Sequence, residues 1–267
     1  LVGLKPTHGL IPSDGVWTGT WSLDSTGPIT RTVEDNALVL QAVARPAKKT
    51  PRVDYRLFNR TQDLQGKTIG VPDSYFFEDL DSEVASAVDA AIATFEELGA
   101  RVIEVSVPSA RYAVDAGAVI SWSEYATSQA SLLRKASSQL GEDVRALLEV
   151  SSTHLASDYL AAQQARTKMV REYQDAWRCV DAIVTPTSSI PPPTVGSKVM
   201  LEVAKLARIA SLTGEPALSV PCGFTKNGLP IGVHLQGPQF AEPLLYEIAY
   251  AYQETTTWHK ARPNLAD

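Results

Sequence analysis

Apolar residues recur along this chain at two periods that take turns. Between residues 33 and 44 they fall at Val33, Ala37, Leu40, Val43 and Ala44, one face of a helix, behind a Thr32/Asp35 pair that reads as a capping box. That helix is expected to end near Pro46. KTIGVP, residues 67–72, is a short β-branched run closed by proline and reads as a buried strand. Asp81 or Ser82 then opens a helix with Val84, Val88, Ala91, Ile92, Phe95 and Leu98 on one face, stopped by Gly99. ARVIEVSVP, residues 100–108, switches back to alternation. Strand, helix and strand in this order make a βαβ unit, so the class is α/β.

The rest of the chain extends the same picture. Residues 1–28 are rich in Gly, Pro, Ser and Thr and read as loop with short extended pieces. From 111 to 178 the only breakers are Gly117 and Gly141, with no proline, which predicts several helices covering the sheet. DAIVTP at 181–186 is a further strand, followed by the stiff extended SSIPPPTVG. A helix is expected near 198–212, then two strands, PALSVPCG and LPIGVHLQG, joined by the turn signal Lys226-Asn227-Gly228, then a last helix over about 242–254. No internal repeat or low-complexity tract interrupts the series.

Composition narrows the partners. The chain has 267 residues, 44% hydrophobic and 20% charged, enough for one large soluble core. A formal charge of −6 leaves no cationic face for nucleic acid. The basic run over 45–60, with Pro46 and Pro51 inside it, reads as a solvated connecting loop. No apolar run reaches the roughly 18 residues of a membrane span. Two cysteines, Cys179 and Cys222, make no disulfide framework and no zinc spacing, which fits a reducing, cytoplasmic setting. His8, His154 and His259 show no metal-ligand spacing, so no metal is expected. Cys222 is expected to be a buried structural thiol; the alternative is a nucleophile paired with His234.

Five stretches, GLKPTHG, SLDSTGPITRTVED, GKTIGVP, VDAIVTPTSSIPPP and TGEPALSVPCGFTKNGLPIGVHLQGP, carry a resemblance in order and spacing to the amidase signature family, serine hydrolases of carboxamides. The resemblance implies a large twisted mixed sheet between helical layers, and an acyl-enzyme formed on a nucleophilic Ser. A second Ser, in a cis peptide, bridges that nucleophile to a Lys base; the substrate is a small-molecule amide and no cofactor is involved. In the family that triad precedes the GLKPT stretch, so no catalytic residue carries over, and Lys5 matches a lysine that is not the base. The resemblance therefore implies that residues 1–267 are the C-terminal majority of a single amidase-signature domain, incomplete at its N-terminus, with no separate second domain. An amide hydrolase lowers its barrier by about 8–23 kcal/mol and one oxyanion donor supplies about 2.7–4, so the chain by itself is expected to be inactive toward amides. A complementing N-terminal segment, a separate chain as in a split enzyme, or a homodimer are the partners considered. The alternatives are a truncated, non-catalytic interaction module or pseudoenzyme and an amidotransferase A-type subunit.

Candidate residues follow from the same stretches. Trp17 and Trp21, four apart in a Gly-rich loop, are candidates for a substrate-pocket wall or for simple packing. Asp24 orients the neighbouring loop, or bonds the backbone of the Ser25-Thr26-Gly27-Pro28 turn. Trp122, with Glu124 and Tyr125, lies on a predicted helix in a region the family uses for substrate selection; core or surface packing is the alternative. His234 stands where relatives often carry Gln, as a pocket residue or a hydrogen-bonded core imidazole. The A-type subunits of amidotransferases, which liberate ammonia from glutamine, carry an acid at the position matching Ala204 and commonly Asn at that of Ser211, so a stand-alone amidase is favoured.

Overall fold

A computed structural model describes residues 1–45, 53–197 and 199–263, with their side chains except that of Met200. Among the described residues seven strands, β1 (Val2–Lys5), β2 (Ile29–Thr30), β3 (Thr68–Pro72), β4 (Arg101–Val105), β5 (Ala182–Pro186), β6 (Ala217–Phe224) and β7 (Pro230–Gln236), form one mixed sheet in the order β2-β1-β6-β7-β5-β3-β4. The predicted βαβ unit is present as β3 (Thr68–Pro72), α2 (Ser82–Glu97) and β4 (Arg101–Val105), with β3 parallel to β4 and to β5 (Ala182–Pro186). β6 (Ala217–Phe224) and β7 (Pro230–Gln236) make the antiparallel hairpin expected from the Asn-Gly turn. Gly228 takes φ +78° there, and its N–H donates to the Thr225 carbonyl at 2.8 Å.

Helices cover both faces because most strands are apolar on both. Ala182 and Val184 of β5 enter one core while Ile183 enters the other. The first core lies under α1 (Val33–Val43), α2 and α8 (Glu242–Thr255), through Leu40, Val88, Phe95, Leu245 and Tyr252. The second packs α3 (Ala113–Ala136), α5 (Ala156–Ala176) and α7 (Arg208–Thr213) on the sheet through Ile120, Met169, Tyr173 and Ile209. α4 (Glu142–Ser151) sits against α3. The caps are those the sequence implies: Thr32 Oγ1 accepts from the Asp35 N–H at 3.1 Å, and Asp81 from the Glu83 N–H at 2.9 Å.

Two expectations change and one is located. The short extended piece expected within residues 1–28 is an interior strand, β1 (Val2–Lys5), paired with β6 and with the two-residue β2 (Ile29–Thr30); Val2 and Leu4 alternate with Gly3 and Lys5, so only half the strand advertises burial. The helix near 198–212 is two helices, α6 (Met200–Ala204) and α7, with a turn at 205–207 that drives Leu206 into the second core. Val43, placed on the buried face of α1, is 40% exposed, and Asn36 is buried instead. Of the basic run, Arg56 pairs with Asp54 at 2.6 Å and Arg60 with Glu34 at 3.5 Å; Pro46, Lys48, Lys49, Pro51 and Arg52 lie outside the described residues.

Candidate active site

The sheet face turned toward α7 is apolar over β3 and β4 and polar across its middle. Strand register sets Thr185, His234, Ser219 and Gly3 in one transverse row, and Gln236, Ala217 and Lys5 in the next. The alternate residues of β6 and β7, Leu218, Val220, Val233 and Leu235, point into the first core. Among the described residues nothing lies within 4 Å of where a Cβ on Gly3 would stand, so they leave the floor open above β1.

Each polar group on this floor has a neutral partner or a shifted protonation. Thr185 Oγ1 meets His234 Nδ1 at 3.4 Å and Thr187 Oγ1 meets Ser219 Oγ at 2.7 Å. Burial, followed by the charge of Lys5, pushes His234 down to about 4, so its imidazole is neutral near pH 7. Lys5 itself is pushed down to about 8 by burial, against the pull of Glu242 and Glu215, and donates to the Pro6 carbonyl at 2.8 Å. Burial raises Glu215, whose carboxylate accepts from Trp177 Nε1 and Gln236 Nε2, both at 2.7 Å. The floor thus carries hydroxyls, an imidazole and an amide, with the Lys5 ammonium at its β1 end.

Beside Lys5 the chain turns into a cleft of about 540 Å³, with Thr7, His8 and Pro12 on one wall and Trp21, Asp24 and Thr26 on the other. The His8 wall is fixed by its N–H, which donates to the Gly214 carbonyl at 2.9 Å. The Asp24 wall folds on itself. The Asp24 carboxylate accepts from the N–H groups of Gly19 and Thr20, each at 2.9 Å, and from Thr20 Oγ1. Its bonds therefore run upstream to residues 19–20 and not to the Ser25-Pro28 turn. Gly27 admits no side chain, because a Cβ would lie 1.9 Å from the Leu4 carbonyl oxygen of β1. A second cavity of about 380 Å³ opens at the far end of the floor, between Thr187, Ser219, Gly232, Leu1 and the prolines at 191–193.

A sequence model of the family described as Amidase matches residues 1–246. The chain belongs to the amidase family. It is 37% identical to an amidase of Pseudomonas putida over 99% of its own length and 60% of the relative's. It is 36% identical to the A-type subunit of a glutamyl-tRNA(Gln) amidotransferase from Microcystis aeruginosa, over all of this chain and 62% of that one. The solved structure of the corresponding Thermotoga maritima protein superposes with a TM-score of 0.78 at 29% identity, covering 96% of this chain and 58% of that one. The chain thus spans about 60% of the length of the curated relatives it matches.

Within this amidase-family fold the five residues singled out from the sequence separate. Trp21 and Asp24 line the cleft. Trp17, on the same loop, is 77% exposed and lies along α3, its Nε1 donating to Gln129 Oε1 at 3.1 Å. His234 lies in the floor, buried, with its Nδ1 3.4 Å from Thr185 Oγ1. Trp122 lies elsewhere, stacked parallel on His154 with ring centroids 6.0 Å apart. His154 Nδ1 is 3.3 Å from Ser123 Oγ, and among the described residues no carboxylate bonds that ring. Cys222 is buried and its thiol is pushed up to about 12, the inert structural cysteine expected. Among the described residues no cluster of His, Cys, Asp or Glu could hold a metal, and no helix is long and apolar enough to cross a membrane. Lys5, Glu215 and Arg166 were not marked by spacing; a lysine inside an alternating apolar strand is the one local signal that could have found the first of them.

Proposed function

We propose that the protein to which this chain belongs hydrolyses the C–N bond of small carboxamides through a serine acyl-enzyme, and that residues 1–267 form part of the pocket while the triad lies outside them. Membership of the amidase family over residues 1–246 carries this reading. The share of the relatives' length that the chain spans leaves room for a triad elsewhere. In this reading Trp21 and Asp24 wall the acyl pocket together with Thr7 and His8, and the polar row of His234 and Gln236 lies in the sheet beside it.

The test is ammonia release from carboxamides of increasing acyl size, with a fluorophosphonate probe, on the protein expressed from its own gene and on residues 1–267 alone. The expected result is turnover, and a labelled serine outside this chain, only from the former. Serine-reagent-sensitive turnover by residues 1–267 would overturn the division of labour, and a protein that neither turns over any amide nor labels would overturn the reading itself. A second reading, an amidotransferase component that takes ammonia from glutamine for a partner, is favoured by 36% identity to such a protein. Ala204 and Ser211 weigh toward the stand-alone amidase, and glutamine in the substrate series separates the two.

A further inference from the structure

Ser22 sits between a buried acid, Glu124, and a half-buried base, Arg166, that do not touch each other. The Glu124 carboxylate, 1% exposed, accepts from the Ser22 N–H at 3.0 Å, from Ser22 Oγ at 2.6 Å and from the Tyr159 hydroxyl at 3.1 Å. Arg166 donates through Nη1 to Ser22 Oγ and through Nη2 to the Ser22 carbonyl, both at 3.1 Å, and through Nε to the Leu212 carbonyl at 2.6 Å. Every polar atom of Ser22 is therefore engaged, and the serine completes a charge pair that α3 and α5 leave open. Burying the Glu124 carboxylate is costly unless it is well bonded, so the residue that supplies two of its bonds is held firmly.

The segment attached to Ser22 is a small body of its own. The Leu23 and Asp24 N–H groups donate to the Thr20 carbonyl at 3.0 and 2.8 Å, and the Asp24 carboxylate closes the turn from the other side. Ser128 Oγ donates to the Gly19 carbonyl at 2.8 Å, adding a lighter tie from the same face of α3. Trp21 and Asp24, the cleft wall, flank Ser22. The opposite wall hangs from the same arginine, because Leu212 lies on α7 just before Gly214, whose carbonyl holds the His8 N–H. A self-bonded turn whose main tie is Ser22 shifts as a unit when that tie changes.

We propose that Glu124 and Arg166 are positioning residues of the cleft: by clamping Ser22 between them they set where Trp21 and Asp24 stand, and so which acyl groups the cleft admits. The specificity half rests on the reading of the cleft as an acyl pocket. The mount itself is tested without it, by hydrogen exchange resolved to single amides. Glu124→Gln should speed exchange at the Ser22 amide by roughly tenfold to hundredfold, the loss of one hydrogen bond to a charged group. Leu23 and Asp24, bonded inside the turn, should stay protected. Ser22→Ala, a loop change outside α3 and α5, removes the hydroxyl from both clamps and carries the test if Glu124→Gln fails to fold. In the active protein, Ser22→Ala and Arg166→Lys should raise KM for long-acyl amides at least tenfold while KM for acetamide and kcat stay within twofold. Loss of stability alone would not split KM by acyl length. A KM shift uniform in acyl size overturns the specificity claim, and unchanged Ser22 exchange overturns the mount. If no amide is turned over, the specificity claim falls with the pocket reading while the exchange result still decides the mount.

Discussion

Asn36 should be among the most sensitive polar positions in the chain. It lies on α1, fully buried, and its Nδ2 reaches the Val2 carbonyl at 3.2 Å, the Pro28 carbonyl at 3.1 Å and Thr30 Oγ1 at 3.2 Å, while Oδ1 accepts from the Tyr246 hydroxyl at 2.9 Å. One side chain thus ties β1, β2 and the loop before it to α8. Asn36→Ala removes these bonds, each worth about 0.5–1.5 kcal/mol net, and leaves the Tyr246 phenol without its acceptor at about 1–3 kcal/mol. The carbonyls keep second partners, such as the Leu4 N–H on Pro28, so we expect a loss of about 3–5 kcal/mol, a large part of an ordinary stability of about 5–15 kcal/mol. Urea unfolding should show the midpoint falling at constant slope. Tyr246→Phe tests the cause: with both partners removed no buried atom is orphaned, so the double variant should be at least about 1 kcal/mol more stable than the sum of the single losses implies. A cost below about 1 kcal/mol for Asn36→Ala, or additivity within about 0.5 kcal/mol, would refute the reasoning.

Other consequences are open to simple measurement. Because His234 has a folded-state value near 4 against 6.5 when exposed, the unfolded chain takes up a proton between those pH values that the folded chain refuses. Stability should therefore fall as pH drops from 6.5 to 4, by about 3 kcal/mol from this group, and His234→Gln should flatten that window; parallel pH–stability curves would contradict it. Gly232→Ala would place a Cβ 2.9 Å from both Ser219 Oγ and Thr187 Oγ1, splitting that hydroxyl pair, and should cost about 1–3 kcal/mol in thermal or urea unfolding. Of the two thiols in residues 1–267, Cys179 should react fast with a disulfide reagent in the folded chain and Cys222 only on unfolding; equal rates would contradict this.

Local order was readable where one residue type settles a local question. Thr32 and Asp81 name the helix starts because a side-chain oxygen there bonds the next turn, and Asn227-Gly228 names the hairpin because the turn needs positive φ. β1 was harder, since Gly3 and Lys5 read as loop until their face of the sheet is known. Trp21 and Asp24 could be grouped from sequence because one short loop holds both. Trp122 could not be separated from them, since helix period says which face a residue occupies but not what that face meets.

The sequence by itself determined the alternation of strands and helices, their caps and turns, and, through five ordered motifs, the amidase family; these depend on neighbours in the chain. Tertiary structure alone decided the row Thr185, His234, Ser219 and Gly3, and the capture of Ser22 between Glu124 and Arg166. Those partners come from separate elements. What brings them together is strand register and the packing of helices on the sheet, and no local period encodes either.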